Sequence, residues 1–214
     1  MGGGILTIPT RRIELSRDPD NFDDESDRTI VNSILTEDVS NVGLLLIDVW
    51  EPSNEPNDGY RNKTIKRNQE KIFPLIEKAR RLGIQIFYSP NGTAMSKDIQ
   101  VLDNEIDISW TYKLPFKMQT MYFYFLAKYM GVDTLLIAGY STPLCVIGRP
   151  VGIDTLSSYE GIDLILVRDA THTWEYSDFN GEDTFTRKYI EYLEHAYLPT
   201  TTVNGINSLV DVEK

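Results

Sequence analysis

Four long apolar runs constrain the fold of this chain more than any other feature. They are "VGLLLIDV" from Val42, "IQIFYS" from Ile84, "DTLLIAG" from Asp133 and "IDLILVRDA" from Ile162. Continuous apolar runs of this kind are typical of strands that are buried on both faces, as in a parallel sheet. Parallel neighbours need long crossover connections, so we expect helices in the segments between the runs.

The intervening segments have the spacing of helices. "NKTIKRNQEKIFPLIEKARRLG", from Asn62, predicts a helix that is kinked at Pro74 and ends at Gly83. Its predicted inward side chains are Ile65, Ile72, Leu75, Ile76, Ala79 and Leu82. "QTMYFYFLAKYMG", from Gln119, predicts a second helix, whose inward side chains would be Met121, Phe125, Leu126, Tyr129 and Met130. "DTFTRKYIEYLEHAY" predicts a third, and "EIDISWTYK" and "TTTVNG" predict weaker strands. This alternation predicts a three-layer α/β/α fold around a mostly parallel, doubly wound, Rossmann-like sheet.

The first forty residues differ in character from the rest. We interpret residues 1–40 as an N-terminal arm and residues 41–214 as one domain. "ILTIPTRRIEL" predicts an extended segment and "DRTIVNSIL" predicts a short helix. Residues 17–40 are rich in Asp and Glu, which favours a solvated surface arm.

Composition excludes several classes of function. The formal net charge is −11, whereas nucleic acids and anionic membranes are bound by surfaces rich in Lys and Arg. No apolar stretch approaches the roughly 18 residues of a membrane span. A single cysteine cannot form an internal disulfide, which favours a reducing compartment. We therefore expect a cytoplasmic protein that binds a small molecule and neither nucleic acid nor membrane.

Three reactive side chains follow strand-like segments. Asp48 ends "LLLID", Lys113 follows "ISWTY" and Cys145 follows "LLIAGYSTPL". Taken singly, each is more often structural: the Asp caps a turn, the Lys is solvated and the Cys is a small buried hydrophobe. Together they make chemical sense, since a thiol needs a base or a lowered pKa to act as a nucleophile.

The same residues carry a resemblance to a known family. The chain resembles the isochorismatase-like cysteine hydrolases, which include nicotinamidases, carbamoylsarcosine amidases and ureidoacrylate-type amidohydrolases. The resemblance runs from about Val42 to Gly205. "GVDTLLIAGYSTPLCV" is similar to the family's cysteine segment, "LLLIDVW" to its first strand and "IDLILVRDATHT" to the strand that ends in its "DAt" motif.

The resemblance implies a mechanism. The family's Asp, Lys and Cys triad corresponds to Asp48, Lys113 and Cys145, with Lys117 as an alternative lysine. The backbone N–H groups of Ser141 and Cys145 would form the oxyanion hole, with a cis peptide between Tyr140 and Ser141. A helix beginning at the cysteine would favour its thiolate. The substrate would be a small amide, ureido or carbamoyl compound, hydrolysed through a thioester, and the protein would be a homo-oligomer.

The chain departs from the family pattern around the site. Trp50 stands where the family usually has Gln, and Trp50 and Tyr112 are candidate walls of the substrate pocket. Arg149, four residues beyond the cysteine, would either bind a substrate carboxylate or pair with an acid of the protein and hold "GRPVGI" in place.

The sequence also bears on metal binding and on two alternative functions. The segments after Asp48 and Ser89 lack the His residues of zinc-binding members, so we expect no metal and no cofactor. A non-catalytic binding or scaffold protein with the same fold remains an alternative. A nucleotide-binding α/β protein is disfavoured, because no glycine-rich loop follows the first strand.

Overall fold

The structure is a computed structural model, and it describes residues 4–15, 28–49, 58–90, 95–173 and 184–208. The strands are β1 (Ile5–Leu15), β2 (Arg28–Asp38), β3 (Val42–Ile47), β4 (Gln85–Ser89), β5 (Ile106–Asp107), β6 (Thr134–Tyr140), β7 (Asp163–His172), β8 (Thr200–Thr201) and β9 (Asn207–Ser208). The α-helices are α1 (Asp58–Arg67), α2 (Phe73–Leu82), α3 (Phe116–Tyr129), α4 (Ile153–Leu156) and α5 (Thr184–Ala196).

All strands of the described residues lie in one sheet. Their order is β2-β1-β8-β7-β6-β3-β4-β5, with β9 also paired to β1. The strands from β8 to β5 run parallel, and β1, β2 and β9 add antiparallel pairs at one edge. The four apolar runs of the sequence form the four adjacent central strands, where both faces are covered. The predicted mostly parallel α/β sheet is confirmed.

Helices cover both faces of this sheet. On one face, α2 packs Leu75, Ile76 and Ala79 against β3, β4 and β6. On the other, α3 and α5 pack Phe123 and Leu193 against the same central strands. The predicted three layers are therefore present.

The helix predicted across residues 62–83 is divided by a π-helical turn, Asn68–Ile72, between α1 and α2. Pro74 lies two residues beyond this π-helical turn in an otherwise continuous run of helical residues, where its missing N–H removes one helical hydrogen bond. The predicted inward position of Ile65 is wrong, because Ile65 is exposed while Thr64 and Asn68 are buried.

The predicted inward face of α3 is also wrong. Met121, Phe125, Tyr129 and Met130 are exposed, and Leu126 is only partly buried. The buried residues of this helix are Gln119, Thr120, Phe123 and Ala127. Thr120 Oγ1 donates to the Pro150 carbonyl at 2.6 Å, and Gln119 Nε2 donates to the Leu114 carbonyl at 2.8 Å. These backbone acceptors allow a face with polar side chains to turn inward.

The N-terminal segment forms a hairpin instead of a strand and a helix. From Arg28 onward, "DRTIVNSIL" belongs to β2, which pairs with β1 along the full length of both strands, so the predicted short helix is wrong. β-Branched residues such as Ile30 and Ile34 suit a strand once a partner strand is available. Strand β1, predicted as extended, contributes Leu6 and Ile8 to the core and joins the sheet through β8.

The strand predicted over "EIDISWTYK" is shorter than expected. Only Ile106–Asp107 pairs with β4, and a 3-10 helix, Ser109–Lys113, follows. Asp107 Oδ1 accepts a hydrogen bond from the Ser109 N–H at 2.8 Å, which turns the chain at this point. None of the helices in the described ranges combines the length and apolar character that a membrane crossing needs.

Gly139 is required where β6 approaches β3. Its φ is 122°, and a Cβ atom at this position would overlap the backbone of Ile47. We expect Gly139→Ala to lower the free energy of unfolding by about 2 kcal/mol or more, since backbone cannot move aside cheaply. Gly148→Ala is the matched control, because no atom lies within 4 Å of its added Cβ. Urea denaturation of both variants tests this, and equal losses of stability would contradict it.

Candidate active site

Two of the predicted residues meet at the carboxyl edge of the sheet. Asp48 directly follows β3, and Cys145 follows β6 after a short turn. Strands β3 and β6 are parallel neighbours, with Ile47 opposite Gly139. Parallel strands deliver their carboxyl ends to the same edge, so both side chains reach the same point.

Asp48 is a fully buried carboxylate held in an unusual backbone conformation. Its φ is 51°, the left-handed region, which a non-glycine residue adopts at a cost of about 1–3 kcal/mol. Its N–H donates to the Ser89 carbonyl at 3.0 Å, which ties the end of β3 to the end of β4. A buried carboxylate needs a cation or several donors to remain ionised.

Arg149 is the cation beside Asp48. Its Nη2 and Nε lie 2.7 Å and 3.1 Å from Asp48 Oδ2. Burial alone would lower the pKa of Arg149, but the charge and hydrogen bonds of Asp48 raise it. The guanidinium also lies over the ring of Tyr112, 5.7 Å from the ring centroid. Of the two roles predicted for Arg149, the structure shows pairing with an acid of the protein.

The turn that carries Arg149 is held by two helices. Thr155 Oγ1 of α4 donates to the Arg149 carbonyl at 2.7 Å, and the Gly152 N–H donates to it at 2.8 Å. Thr120 of α3 holds the next carbonyl, that of Pro150. The helical segment around Cys145 ends at Gly148, and the turn that follows holds Arg149 with its side chain on Asp48.

Cys145 is half-buried and close to both charges. Burial is the largest influence on its pKa, and together with a hydrogen bond to Asp48 and the charge of that carboxylate it raises the pKa to about 11. The charge of Arg149 and a backbone hydrogen bond from Ser141 act in the opposite direction. The thiol therefore keeps its proton at neutral pH.

The helix expected at this thiol is short and irregular. Cys145 lies inside a short π-helical turn, Thr142–Val146, which leads into the Arg149 turn. The macrodipole of so short a segment is small. A segment of this length therefore supplies little of the thiolate stabilisation expected at Cys145.

The predicted oxyanion residues adjoin the sulfur. The cis peptide between Tyr140 and Ser141 is confirmed. Ser141 is fully buried, and Thr142 Oγ1 lies 2.7 Å from Thr171 Oγ1 at the end of β7. This hydroxyl pair attaches the turn to the neighbouring strand. No local pattern in the sequence predicts this contact, although the "DAT" segment of the family resemblance includes Thr171.

Tyr112 lies at the site as a candidate wall. It is half-buried, and its hydroxyl is 3.4 Å from Ser89 Oγ. Burial is the main cause that raises its pKa, and the charges of Asp48 and Cys145 also raise it. Trp50, the other predicted wall, lies outside the described residues.

The structure does not bring Lys113 to Asp48. Lys113 ends the 3-10 helix with its side chain exposed, and Lys117 is exposed on α3. No ion pair within the described ranges joins either lysine to Asp48, whose cation is Arg149. The physical reason is the 3-10 helix: it presents the neighbouring Tyr112 inward, and Lys113 therefore points to solvent.

Over the described residues, no three His, Cys, Asp or Glu side chains lie together as a metal site would require. His172 is buried in a different environment, stacked on Tyr140 with ring centroids 4.3 Å apart.

Comparisons with known proteins bear on the fold. No family model and no curated protein matches the sequence. A cysteine hydrolase from Pseudomonas syringae pv. phaseolicola is similar in structure, with 11% identity and a TM-score of 0.57 over 78% of this chain and 91% of that one. An isochorismatase from Pseudomonas putida has 15% identity and a TM-score of 0.53 over 78% and 90%.

A third similar structure is the YcaC gene product of Escherichia coli, described as an octameric hydrolase of unknown specificity. It has 17% identity and a TM-score of 0.50 over 79% of this chain and 78% of that one. The chain has the isochorismatase-like α/β fold. At these identities the likeness shows the fold alone.

The opposed effects on the Cys145 pKa predict how its reactivity depends on pH. Alkylation by iodoacetamide should speed up by about tenfold per pH unit below the thiol pKa, with a midpoint about 11. Asp48→Asn removes the carboxylate that raises this pKa and keeps Arg149, so the midpoint should fall. Arg149→Met should shift it upward.

Mass spectrometry measures the alkylated fraction of Cys145, which is the only cysteine in the sequence. The urea-unfolded protein is the control, with the ordinary thiol pKa of about 8.5. An unchanged midpoint in Asp48→Asn would show that the carboxylate does not act on the sulfur.

Proposed function

We propose that this protein is a cysteine-dependent hydrolase of small amide, ureido or carbamoyl compounds, acting through a thioester. The observation that carries the proposal is the buried ion pair of Asp48 with the Arg149 guanidinium at the carboxyl edge of the sheet, where Cys145 follows the strand next to that of Asp48. A nucleophile, a base within hydrogen-bond reach and a group that orients the base are the parts that nucleophilic catalysis needs. The fold shared with known cysteine hydrolases supports the same conclusion.

The acylation step follows from these positions. Asp48 accepts the Cys145 proton as the sulfur attacks the substrate carbonyl carbon, so the raised thiol pKa is overcome only when substrate is in place. The backbone N–H groups of Ser141 and Cys145 would bind the oxyanion. Protonated Asp48 then donates to the leaving nitrogen, the C–N bond breaks, and an amine or ammonia departs from the thioester.

Deacylation reuses the same base. Asp48 takes a proton from water, the hydroxide attacks the thioester carbonyl, and the C–S bond breaks. The sulfur recovers a proton from Asp48, and the acid product leaves. The sum is one amide bond and one water converted to one acid and one amine.

Arg149 would stabilise the negative charge shared by Asp48 and the sulfur. In the family a lysine fills this role, and here Lys113 faces solvent. A guanidinium stays protonated throughout, so Arg149 acts as a fixed charge and not as an acid. Its Nη1 makes no hydrogen bond to the described residues, and this nitrogen remains for a substrate acceptor such as a carboxylate.

Ammonia release from a panel of small amides and ureido acids tests the proposed function. Wild type should turn over at least one of them, and rapid quenching should trap an acyl group on the protein, seen as a mass increase. Cys145→Ala should lose both signals while keeping its fold, judged by circular dichroism. Turnover that survives Cys145→Ala would overturn the proposal, and a wild type inert to the whole panel would favour the scaffold alternative.

A matched pair of variants tests the choice of cation. Arg149→Met should lower kcat/KM by roughly 10²–10³, the usual effect of removing one preorganised electrostatic contact. Lys113→Met should leave turnover near that of wild type, because this side chain faces solvent. Arg149→Lys keeps the charge without the two-nitrogen contact, and its activity should fall between the other two.

The stability of each variant must be measured together with its turnover rate. Leaving Asp48 buried without a cation costs about 3–5 kcal/mol, so Arg149→Met should be assayed where it is folded by circular dichroism. Loss of turnover in Lys113→Met at unchanged stability would return the lysine to the mechanism.

A further inference from the structure

Helix α3 presents an apolar stripe to solvent. Five of its residues recur at the spacing of one helical face, and all are exposed: Met118, Met121, Tyr122, Phe125 and Tyr129. The two largest exposures are 61% for Phe125 and 87% for Tyr129. The opposite face of α3 already packs on the sheet through Phe123 and Ala127. The exposed stripe therefore does not contribute to the core of a single chain.

The stripe continues onto the element that carries Tyr112. Trp110, in the 3-10 helix, packs edge-on against Tyr122, with ring centroids 4.6 Å apart, and is itself exposed. We call Trp110 and the five α3 residues the α3 patch. It joins a helix of the outer layer to the wall of the candidate active site.

The size of the α3 patch matches half of a protein interface. With aromatic side chains of about 150–250 Å² each, its exposed parts amount to roughly 600 Å² of apolar surface. The largest apolar patch on a typical monomer measures about 300–600 Å². A standard interface buries about 800 Å² per partner, of which about 60% is apolar. The exposed apolar area of the α3 patch is therefore as large as the apolar area that one partner buries in a standard interface.

The charge of α3 favours a second copy of this chain as the occupant. The protein carries a net charge of −11, so most of its faces would bring carboxylates together. Helix α3 contains no Asp or Glu. Lys128, beside the patch, is already paired with Asp133 and bonded to the Gly161 carbonyl. Lys117, the other lysine of α3, is exposed in the first turn of the helix, at the end of the stripe, so two copies can meet along the stripe without bringing carboxylates together.

The order of residues along α3 makes the patch complementary to itself. Methionines occupy the N-terminal half of the stripe, and Phe125 and Tyr129 occupy the C-terminal half. In an antiparallel pair about a two-fold axis, Met118 lies opposite Tyr129 of the partner subunit, and Met121 lies near Phe125 of the partner subunit. Sulfur–aromatic contacts are worth about 0.3–1.5 kcal/mol each, and each pair occurs twice in such a symmetric interface.

We propose that the α3 patch is the dimer interface of this protein, with the two α3 helices antiparallel across a two-fold axis. This inference does not rest on the proposed hydrolase activity. It places the Tyr112-bearing 3-10 helix of each subunit at the edge of the interface. Dimerisation would therefore shield Trp110 and order one wall of each candidate active site.

Sedimentation analysis of the full chain tests the proposal. Wild type should have the mass of a dimer at micromolar concentration, and Phe125→Glu or Tyr129→Glu should shift it to a monomer with an unchanged circular dichroism spectrum. Ile34→Glu is the matched control: Ile34 is 70% exposed on the edge strand β2, which is a different surface from the α3 patch. It should remain a dimer.

Cysteine cross-linking tests the orientation. In a Cys145→Ala background, Met118→Cys combined with Tyr129→Cys should form disulfide-linked dimers. Neither substitution alone should do so, since like positions would lie about 16 Å apart along the axis at 1.5 Å per residue.

Several results would overturn the interface. These are a monomeric wild type, dissociation by Ile34→Glu instead of the α3 variants, or cross-linking by the single cysteines, which indicates parallel helices. All are read without substrate, so they are distinct from failure of the hydrolase proposal.

Discussion

The pairing of buried Asp48 with Arg149 is the interaction on which the rest of the site depends. A fully buried carboxylate is unfavourable unless a cation and hydrogen bonds replace the water it has lost. Asp48 is delivered by β3, in the middle of the sheet, and cannot move without disturbing the core. Arg149 therefore has to be positioned beside Asp48, and the end of the helical segment after Cys145 allows this.

That pairing explains the irregular segment between Cys145 and α4. The sequence "GRPVGI" is poor for a helix, and its cost is offset by bonds from Thr120 and Thr155 to the backbone of the turn. The Arg149 N–H still donates to the Cys145 carbonyl at 3.2 Å, so Arg149 lies one helical turn beyond the cysteine, at the end of the short helical segment. The irregular geometry is thus linked to the placement of one charge, as local irregularity at functional sites often is.

The same arrangement sets the state of the thiol. Burial and Asp48 hold the proton on Cys145, whereas Arg149 and the Ser141 backbone favour its loss. A resting thiol that is protonated is protected from oxidation and from unspecific alkylation. In the mechanism we propose, reactivity appears when a substrate carbonyl is present to receive the sulfur as Asp48 takes the proton.

The apolar runs by themselves determined the central strands, because a strand buried on both faces has few alternatives that satisfy its composition. They also determined that Asp48 and Cys145 share one edge, since parallel strands align their carboxyl ends. For segments with a less distinct sequence pattern, only the tertiary structure decided which elements they form and what they pack against. Pairing with β1 made "RTIVNSIL" a strand, and inward hydrogen bonds of Gln119 and Thr120 turned the apolar stripe of α3 outward. It also decided that Arg149 and not Lys113 lies beside Asp48, because the path of an irregular turn depends on contacts far away in the sequence that no local pattern records.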